Sequence, residues 1–283
     1  DRHGEDRDFR WRWGNLIGSA GWNYLINRKL FATFTGGYTR YRSHIIQKQN
    51  AFVSSPDKNG QVYFQEGHYR SAMEDVNLRA SFDYRPNVDH RIRMGSDYLF
   101  HLFRPEQSNM SSWYKDSFVS QMNNTIFSHS LIHGHEVSLY AEDEMLLTDR
   151  LRVNAGLRFT LFHVQGETYQ SFQPRFSTRY LLGRNLSAKV SYTKMNQYIH
   201  LLSNSYISQP TDIWVPVTGN IRPMHAHQVT SGLFWHYKEL DFSVEGYYKR
   251  MNNLVEYKDN GPVLPSFTGW EDRVGVGKGR SYG

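Results

Sequence analysis

Residues 136–161 have the sequence EVSLYAEDEMLLTDRLRVNAGLRFTL, and this stretch decides the fold. Apolar residues take every second position on both sides of the triplet Thr148-Asp149-Arg150, and the positions between them are mostly polar, as at Arg152 and Arg158. A period of two residues is typical of a β-strand with two unlike faces, and a short polar interruption is typical of a turn. The stretch therefore predicts an antiparallel hairpin.

The same unit recurs along the chain. The further predicted hairpins span residues 9–43 with a turn near 27–29, 72–102 with a turn at 86–89, 176–192 with a turn at 183–185, and 229–248 with a turn at 238–239. We count about eleven strands, most of about 10 to 14 residues, whereas strands of globular proteins usually have about 5 to 6. A tilted strand that crosses a membrane needs about 9 to 11 residues, so the lengths favour membrane-spanning strands.

The connections alternate between these tight turns and long polar segments, which are residues 44–71, 104–133, 197–225 and 257–273. Outer-membrane barrels have short turns in the periplasm and long loops outside the cell. The pattern therefore predicts an all-β fold, an antiparallel up-and-down transmembrane β-barrel, of which this chain forms a partial wall.

The polar strand faces carry charges that a dry protein core would not accept, among them Arg79, Asp97 and Glu142. A wide barrel accommodates them because its inner face lines a wet or plugged lumen while its outer face contacts lipid. Aromatic residues near strand ends then suit the interfacial girdles of a barrel. The predicted girdle residues are Trp11, Trp13, Tyr38, Tyr84, Tyr98, Phe100, Trp235 and Tyr248.

The composition agrees with this interpretation. Aromatic residues make up 15% of the 283 residues, so large rings do much of the burial. Cysteine is absent, which excludes disulfides and thiolate chemistry. The net charge of +6 does not indicate nucleic acid binding, because the basic residues are scattered beside acidic ones instead of forming a patch.

Several segments resemble the barrel of TonB-dependent receptors, especially the large receptors of Bacteroidetes-type bacteria. They are Leu139 to Glu144 with Leu151 to Phe159, Pro174 to Phe176, Ser191-Tyr192, Gln197 to Asn204, Pro216 with Pro223, and Gly279 to Gly283. The resemblance implies an outer-membrane location, a plug domain that contacts the TonB energy-coupling complex, and active import of an external ligand. That family's barrels have 22 strands, so we predict that residues 1–283 are one partial barrel domain lacking the plug and the C-terminal strands.

The sequence contains no catalytic motif with the required spacing, so we predict no enzyme activity and no cofactor. Gly18-Ser19-Ala20-Gly21 lacks the spacing of a nucleophile elbow, and residues 275–281 lack that of a phosphate loop. His133 with His135, and His225 with His227, place two imidazoles on one strand face, but no third metal ligand is identifiable. Glu142 and Glu144 are interpreted as wall ion-pair partners of arginines such as Arg152 and Arg158.

Ligand contacts in such a receptor come from extracellular loops, where rigid aromatic rings can stack on a substrate. The candidate ligand-binding residues are Tyr63, Phe64, Trp113, Tyr114, Tyr206 and Trp214. The alternative is that these rings pack the loops against one another. A siderophore, cobalamin, an oligosaccharide and a peptide all remain compatible with them.

Two other functions remain open. A passive porin or structural barrel would be favoured if no plug domain lay upstream in the gene. A soluble β-rich carbohydrate-binding or glycosidase domain would require the apolar strand faces to meet each other instead of lipid.

Overall fold

The computed structural model describes residues 2–55, 58–115, 120–128, 131–203, 212–258 and 269–283. Within these ranges the chain forms β-strands and one 3-10 turn, Trp270–Arg273. The strands are β1 (Arg2–Asn27), β2 (Leu30–Ser55), β3 (Lys58–Tyr84), β4 (His90–Lys115), β5 (Ser120–Ser128), β6 (Ile132–Thr148), β7 (Leu151–Val164), β8 (Glu167–Leu181), β9 (Leu186–Gln197), β10 (Ile199–Leu202), β11 (Ile213–Pro216), β12 (Met224–Tyr237), β13 (Leu240–Tyr257) and β14 (Val274–Tyr282). No helix in the described ranges is long and apolar enough to cross a membrane.

Twelve strands form one antiparallel sheet in the order β1-β2-β3-β4-β6-β7-β8-β9-β12-β13-β14, with β5 paired only to β4. Strands β10 and β11 form a separate two-stranded sheet. The two ends of the order, β1 and β14, do not pair with each other in the described residues, so the sheet is an open wall. The continuous order contains the strands predicted from the sequence, whereas β5, β10 and β11 were not predicted.

The five predicted tight turns are confirmed, because each lies between consecutive strands of the sheet. Short polar side chains cap three of them, at Asn27, Asn87 and Thr148. The Asn87 side-chain oxygen accepts hydrogen bonds from the backbone N–H groups of Asp89 at 3.0 Å and His90 at 2.9 Å. The Thr148 hydroxyl accepts one from the backbone N–H of Leu151 at 3.0 Å. Such side chains mimic a backbone turn, which is why the sequence located these positions well.

The strands differ in height at the loop end of the wall. Strands β1 to β4 have 26 or 27 residues, whereas β7 has 14. Residues 44–71, predicted as a polar connection, are mainly the paired upper parts of β2 and β3. Above the membrane both faces of a strand meet water, so no apolar alternation marks it in the sequence.

Each strand presents one face to each side of the wall. The cross-strand register places Ser138, Thr160 and Ser171 on the same face, and all three are buried. We call this the inner face, because the small β10–β11 sheet packs on it. The opposite face is the outer face, where Leu139 is 55% exposed beside Ser138 at 0%.

A continuous apolar band covers the outer face around the middle of every long strand. It includes Trp22, Tyr24, Phe34, Leu78, Val76, Met94, Tyr98, Leu139, Val137, Leu157, Phe172, Phe176, Val190, Val229, Leu233, Trp235, Phe242, Val244 and Tyr248, all exposed. Exposed apolar surface of this extent marks an interface. The band corresponds to the lipid-facing surface of an outer-membrane barrel, as the sequence predicted.

Two of the predicted girdle residues, Trp11 and Trp13, lie on the inner face of the wall. Trp11 and Trp13 are register partners of Ile45 and Ser43, which lie on the inner face. The Trp11 indole N–H also donates a hydrogen bond to the Ser43 hydroxyl at 3.1 Å. The girdle prediction is therefore wrong for these two rings, because strand-end position alone does not reveal on which face a side chain lies.

Candidate functional site

The β10–β11 sheet is a short hairpin that lies on the inner face of the wall, and we call it the inward hairpin. Alternate residues on one of its sides, His200 and Leu202 in β10 and Ile213 and Val215 in β11, are buried. Leu202, Ile213 and Val215 pack in one apolar cluster with Ile45, Tyr69, Ile221, Trp270 and Val274. The described parts of the polar segment 197–225, residues 197–203 and 212–225, therefore fold back onto the inner face instead of extending into solvent.

The base of the inward hairpin is fixed by a second apolar cluster. Tyr198 stacks on Phe162 with ring centroids 5.0 Å apart and an interplanar angle of 10°. The Val217 backbone N–H donates to the Tyr198 carbonyl at 2.8 Å, and the Tyr169 hydroxyl donates to the Thr218 carbonyl at 2.6 Å. These contacts join the residues on both sides of the inward hairpin, Tyr198 before it and Val217 and Thr218 after it, to β7 and β8, and they limit the movement of the hairpin.

A buried ion pair joins distant parts of the wall above the inward hairpin. Arg273, at the end of the 3-10 turn before β14, pairs with Glu106 of β4, and both side chains are almost fully buried. The same turn also contacts the segment that follows the inward hairpin, because the Asn220 amide donates a hydrogen bond to the Glu271 carboxylate at 2.9 Å. The segments before β12 and before β14 thus form one assembly across the loop end of the inner face.

Burial changes the acid–base properties of this assembly. Burial lowers the pKa of His200 to about 4, and its Nε2 has no hydrogen-bond partner among the described residues. Burial also raises the pKa of the Asp212 carboxyl at the start of β11. The docked hairpin therefore favours a neutral imidazole at position 200.

Below the inward hairpin the inner face is lined with paired charges. Asp97 is 3% exposed and accepts a hydrogen bond from Arg79 Nε at 2.6 Å, while Arg158 Nη1 lies 2.9 Å from its second oxygen. Glu136 lies 4.0 Å from Arg158. Opposite charges across neighbouring strands stabilise the wall while keeping its inner surface polar.

The carboxylates that could have served as an acid–base pair are engaged in the same way. Glu144 pairs with Arg152 at 3.1 Å, as predicted, whereas Glu142 pairs with Arg93 at 2.7 Å. Arg158 pairs with Asp97, not with Glu142. The arrangement is that of a structural lining.

The five predicted ligand-binding residues that the structure describes fall into three groups. Tyr63 and Tyr114 are cross-strand partners on the inner face of the tall β3–β4 pair, while Phe64 and Trp113 are partners on its outer face. Trp214 pairs with Leu201 on the side of the inward hairpin turned away from the wall, where Leu201 is 43% exposed. Tyr206 lies outside the described residues. The five rings that the structure describes do not line a single cleft, because Phe64 and Trp113 lie on the opposite face of the wall from Tyr63 and Tyr114.

The histidine pairs do not form a metal centre. His133 and His135 lie on the outer face of β6, and His225 and His227 on that of β12, with ring centroids of the second pair 6.0 Å apart. Within the described ranges no group of three or more His, Cys, Asp or Glu side chains could hold a metal ion.

The sequence missed the inward hairpin and the Arg273–Glu106 pair. The one local signal was the alternation of Ile213 and Val215, which is too short to separate a strand from a loop. The ion pair joins residues 167 positions apart, and no pattern in a single sequence reveals such a contact.

Comparisons with known proteins agree with this architecture. The family model described as "TonB dependent receptor-like, beta-barrel" matches residues 1–283. Among solved structures, the RagAB peptide transporter is similar at 12% identity and a TM-score of 0.57, over 89% of this chain and 31% of that one. The FrpB iron transporter from Neisseria meningitidis is similar at 9% identity and a TM-score of 0.50, over 88% of this chain and 46% of that one.

The chain covers between 31% and 53% of the length of the solved structures that it resembles. It covers 46% of the copper transporter OprC and 44% of the ferric enterobactin receptor from Pseudomonas aeruginosa, with TM-scores of 0.48 and 0.49 and identities of 11% and 10%. No curated protein sequence matches the chain. At these identities the structural likeness shows the fold alone.

Proposed function

Because the chain belongs to the TonB-dependent receptor-like β-barrel family, we propose that it acts as wall and loop assembly of a receptor that imports a scarce external ligand. The chain is part of an outer-membrane receptor or transporter. Energy for import would come from the TonB complex acting on a plug domain elsewhere in the full protein, and the wall itself would catalyse no reaction.

The observation that carries this proposal is the position of the inward hairpin. A hairpin that docks on the inner face, with Trp214 and Leu201 turned away from the wall, gives an external ligand an apolar surface inside the barrel mouth. Tyr63 and Tyr114 lie on the same side of the wall. Such rings bind planar or apolar parts of a ligand at low entropic cost.

The ligand itself is proposed only as a class: a siderophore, cobalamin, an oligosaccharide or a peptide. Tyr63, Tyr114 and Trp214 lie on the interior side of the wall, whereas Phe64 and Trp113 lie on its outer face. We therefore favour the first three as ligand contacts. Tyr206 remains a candidate from the sequence.

The test is uptake in cells that depend on the full-length gene. A deletion strain is grown with ferric siderophores, cobalamin, oligosaccharides or peptides as the limiting nutrient, and the nutrient that it fails to use is then offered to strains carrying variants. W214A, Y63A and Y114A are expected to raise the nutrient concentration needed for growth, because each removes a ring on the interior side of the wall. F64A and W113A serve as matched controls on the outer face.

Three results would overturn parts of the proposal. If the deletion strain used every nutrient normally, the protein would not be the importer of any of them. If uptake persisted in a strain without TonB, the receptor would act as a passive pore. If the outer-face variants impaired growth as much as the inner-face ones, the inward hairpin would not be the ligand surface.

A further inference from the structure

A row of basic side chains crosses four neighbouring strands on the outer face, immediately on the loop side of the apolar band. The register makes each member the direct cross-strand partner of the next. The row, which we call the basic row, consists of Lys194 in β9, His227 in β12, Arg250 in β13 and Arg280 in β14.

The rows on either side fix its level in the wall. The next outer-face residue of each strand towards the apolar band is apolar or aromatic, and these residues are Tyr192, Val229, Tyr248 and Tyr282. The next outer-face residues towards the loops are Asn196, His225, Asn252 and Lys278. The Tyr192 hydroxyl lies 2.9 Å from Nδ1 of His227, so the two rows are in contact. Aromatic rings of this kind mark the boundary between hydrocarbon and head groups.

The basic row is unfavourable for the sheet by itself. Directly opposed side chains in an antiparallel pair have Cβ atoms about 5 Å apart, and like charges at that distance destabilise the pair. Among the residues that the structure describes, no acidic side chain lies within ion-pair distance of Lys194, Arg250 or Arg280. An anion from outside the chain would offset the repulsion between the directly opposed Arg250 and Arg280.

The other basic cluster on the outer face lacks this property. On β2 to β4 the Glu74 carboxylate accepts hydrogen bonds from Arg104 at 2.5 Å and from the Tyr38 hydroxyl at 2.8 Å, and Arg42 lies 3.9 Å away. The Glu74 carboxylate offsets part of the charge of that cluster within the wall. The basic row differs because it contains no carboxylate of its own.

We propose that the basic row binds the phosphate groups of anionic lipids in the external leaflet. The row is continuous with the lipid-facing band, so a lipid whose acyl chains lie on Val229 and Tyr248 places its head group at Lys194, Arg250 and Arg280. Guanidinium groups bind phosphate oxygens through two parallel hydrogen bonds, which suits the two arginines. This inference requires the outer-membrane location and does not depend on which ligand the receptor imports.

The test measures lipid retained by the full-length receptor purified in a neutral detergent. The probes are phosphatidic acid, which carries a phosphomonoester, and zwitterionic phosphatidylcholine, and bound lipid is counted by native mass spectrometry. We expect the unaltered receptor to retain phosphatidic acid in preference to phosphatidylcholine. The double variant Arg250→Gln with Arg280→Gln is expected to lose affinity for phosphatidic acid by about 30-fold, from the loss of two basic contacts.

The matched control is Arg175→Gln with Arg179→Gln, which removes the same charge from the inner face of β8. It is expected to retain phosphatidic acid normally. Folding of each variant is checked by heat-modifiable migration on a denaturing gel, and Lys194→Gln replaces the double variant if that one does not fold.

Three outcomes would overturn the proposal: equal retention of the two lipids by the unaltered receptor, equal losses in the outer-face and inner-face variants, or displacement of phosphatidic acid by inorganic phosphate at equal phosphorus concentration. The last result would mean that the row binds free phosphate and that the acyl chains contribute nothing.

Discussion

Arg273 and Glu106 form a buried ion pair between the turn that precedes β14 and the middle of β4, 167 residues apart in the chain. The side chains are 2% and 1% exposed, so water does not compensate either charge. The pair lies beside the apolar cluster that holds the inward hairpin, since Trp270 and Val274 belong to that cluster. The ion pair therefore couples the position of the segment before β14 to the wall on which the hairpin docks.

Removing one partner should release this segment. We expect Glu106→Gln to lower the free energy of local opening at residues 270–274 by about 3 kcal/mol, because removing one charge of a buried ion pair is strongly destabilising. Hydrogen exchange of the backbone amides in this segment measures the effect. Replacing both partners, as in Glu106→Leu with Arg273→Met, should restore most of the protection. Equal exchange in the single variant and the unaltered protein would show that the pair does not hold the turn.

Asp97 is the charge on which the lower inner wall depends. It contacts both Arg79 and Arg158, so Asp97→Asn leaves two guanidinium groups close together without a full counter-charge. We expect a loss of about 2 to 3 kcal/mol in the free energy of unfolding, less than for a fully buried pair because the arginines are partly exposed. The urea midpoint of the full-length receptor in lipid vesicles measures it.

The control for Asp97 is the same substitution at an exposed pair. Asp241 lies 2.6 Å from His236, but their side chains are 83% and 59% exposed. Asp241→Asn is expected to change the urea midpoint little, because exposed ion pairs contribute little to stability. If both substitutions shifted the midpoint equally, burial would not be the reason for the importance of Asp97.

The sequence predicted the turns and the outer face because a single local requirement determines the residue types there. Asn87 and Thr148 mark turns because their side chains satisfy backbone groups locally, and Leu139 and Val153 mark the outer face because lipid contacts every second residue. The inward hairpin could not be predicted, since its strands have only four residues each and its partners lie on distant strands. The same limit applies to Tyr63 and Phe64. The sequence places both in one loop, and only the strand register shows that they face opposite sides of the wall.

Docking of the inward hairpin should weaken in acid. Burial lowers the pKa of His200 from an ordinary value of 6.5 to about 4. Between those values the undocked hairpin binds more protons than the docked one, so stability is present at neutral pH and is lost as the pH falls. From pH 7.5 to pH 5 the titration of His200 alone raises the open population by about 30-fold, whereas the raised pKa of Asp212 acts in the opposite direction.

Hydrogen exchange at residues 199–202, corrected for the intrinsic pH dependence of amide exchange, measures this change. His200→Gln is the matched control, because its amide does not titrate and its exchange should lack the extra pH dependence. An unaltered protein whose corrected exchange stayed constant between pH 7.5 and pH 5 would contradict the prediction and show that His200 remains accessible to protons when the hairpin is docked.

The strongest test of the two faces uses neighbouring positions in β13. Val244 lies on the outer face in the apolar band and is 77% exposed, whereas Ser243 lies on the inner face opposite Phe234. An arginine on the lipid face of a barrel costs about 2 to 4 kcal/mol near the membrane midplane, while an inner-face arginine remains in a polar space. We therefore expect Val244→Arg to lower the urea midpoint and the heat-modifiable fraction of the refolded full-length receptor, and Ser243→Arg to leave both nearly unchanged. The reverse order would mean that the apolar band faces protein and that the inner face contacts lipid, since the two positions differ by one residue and the substituted side chain is the same.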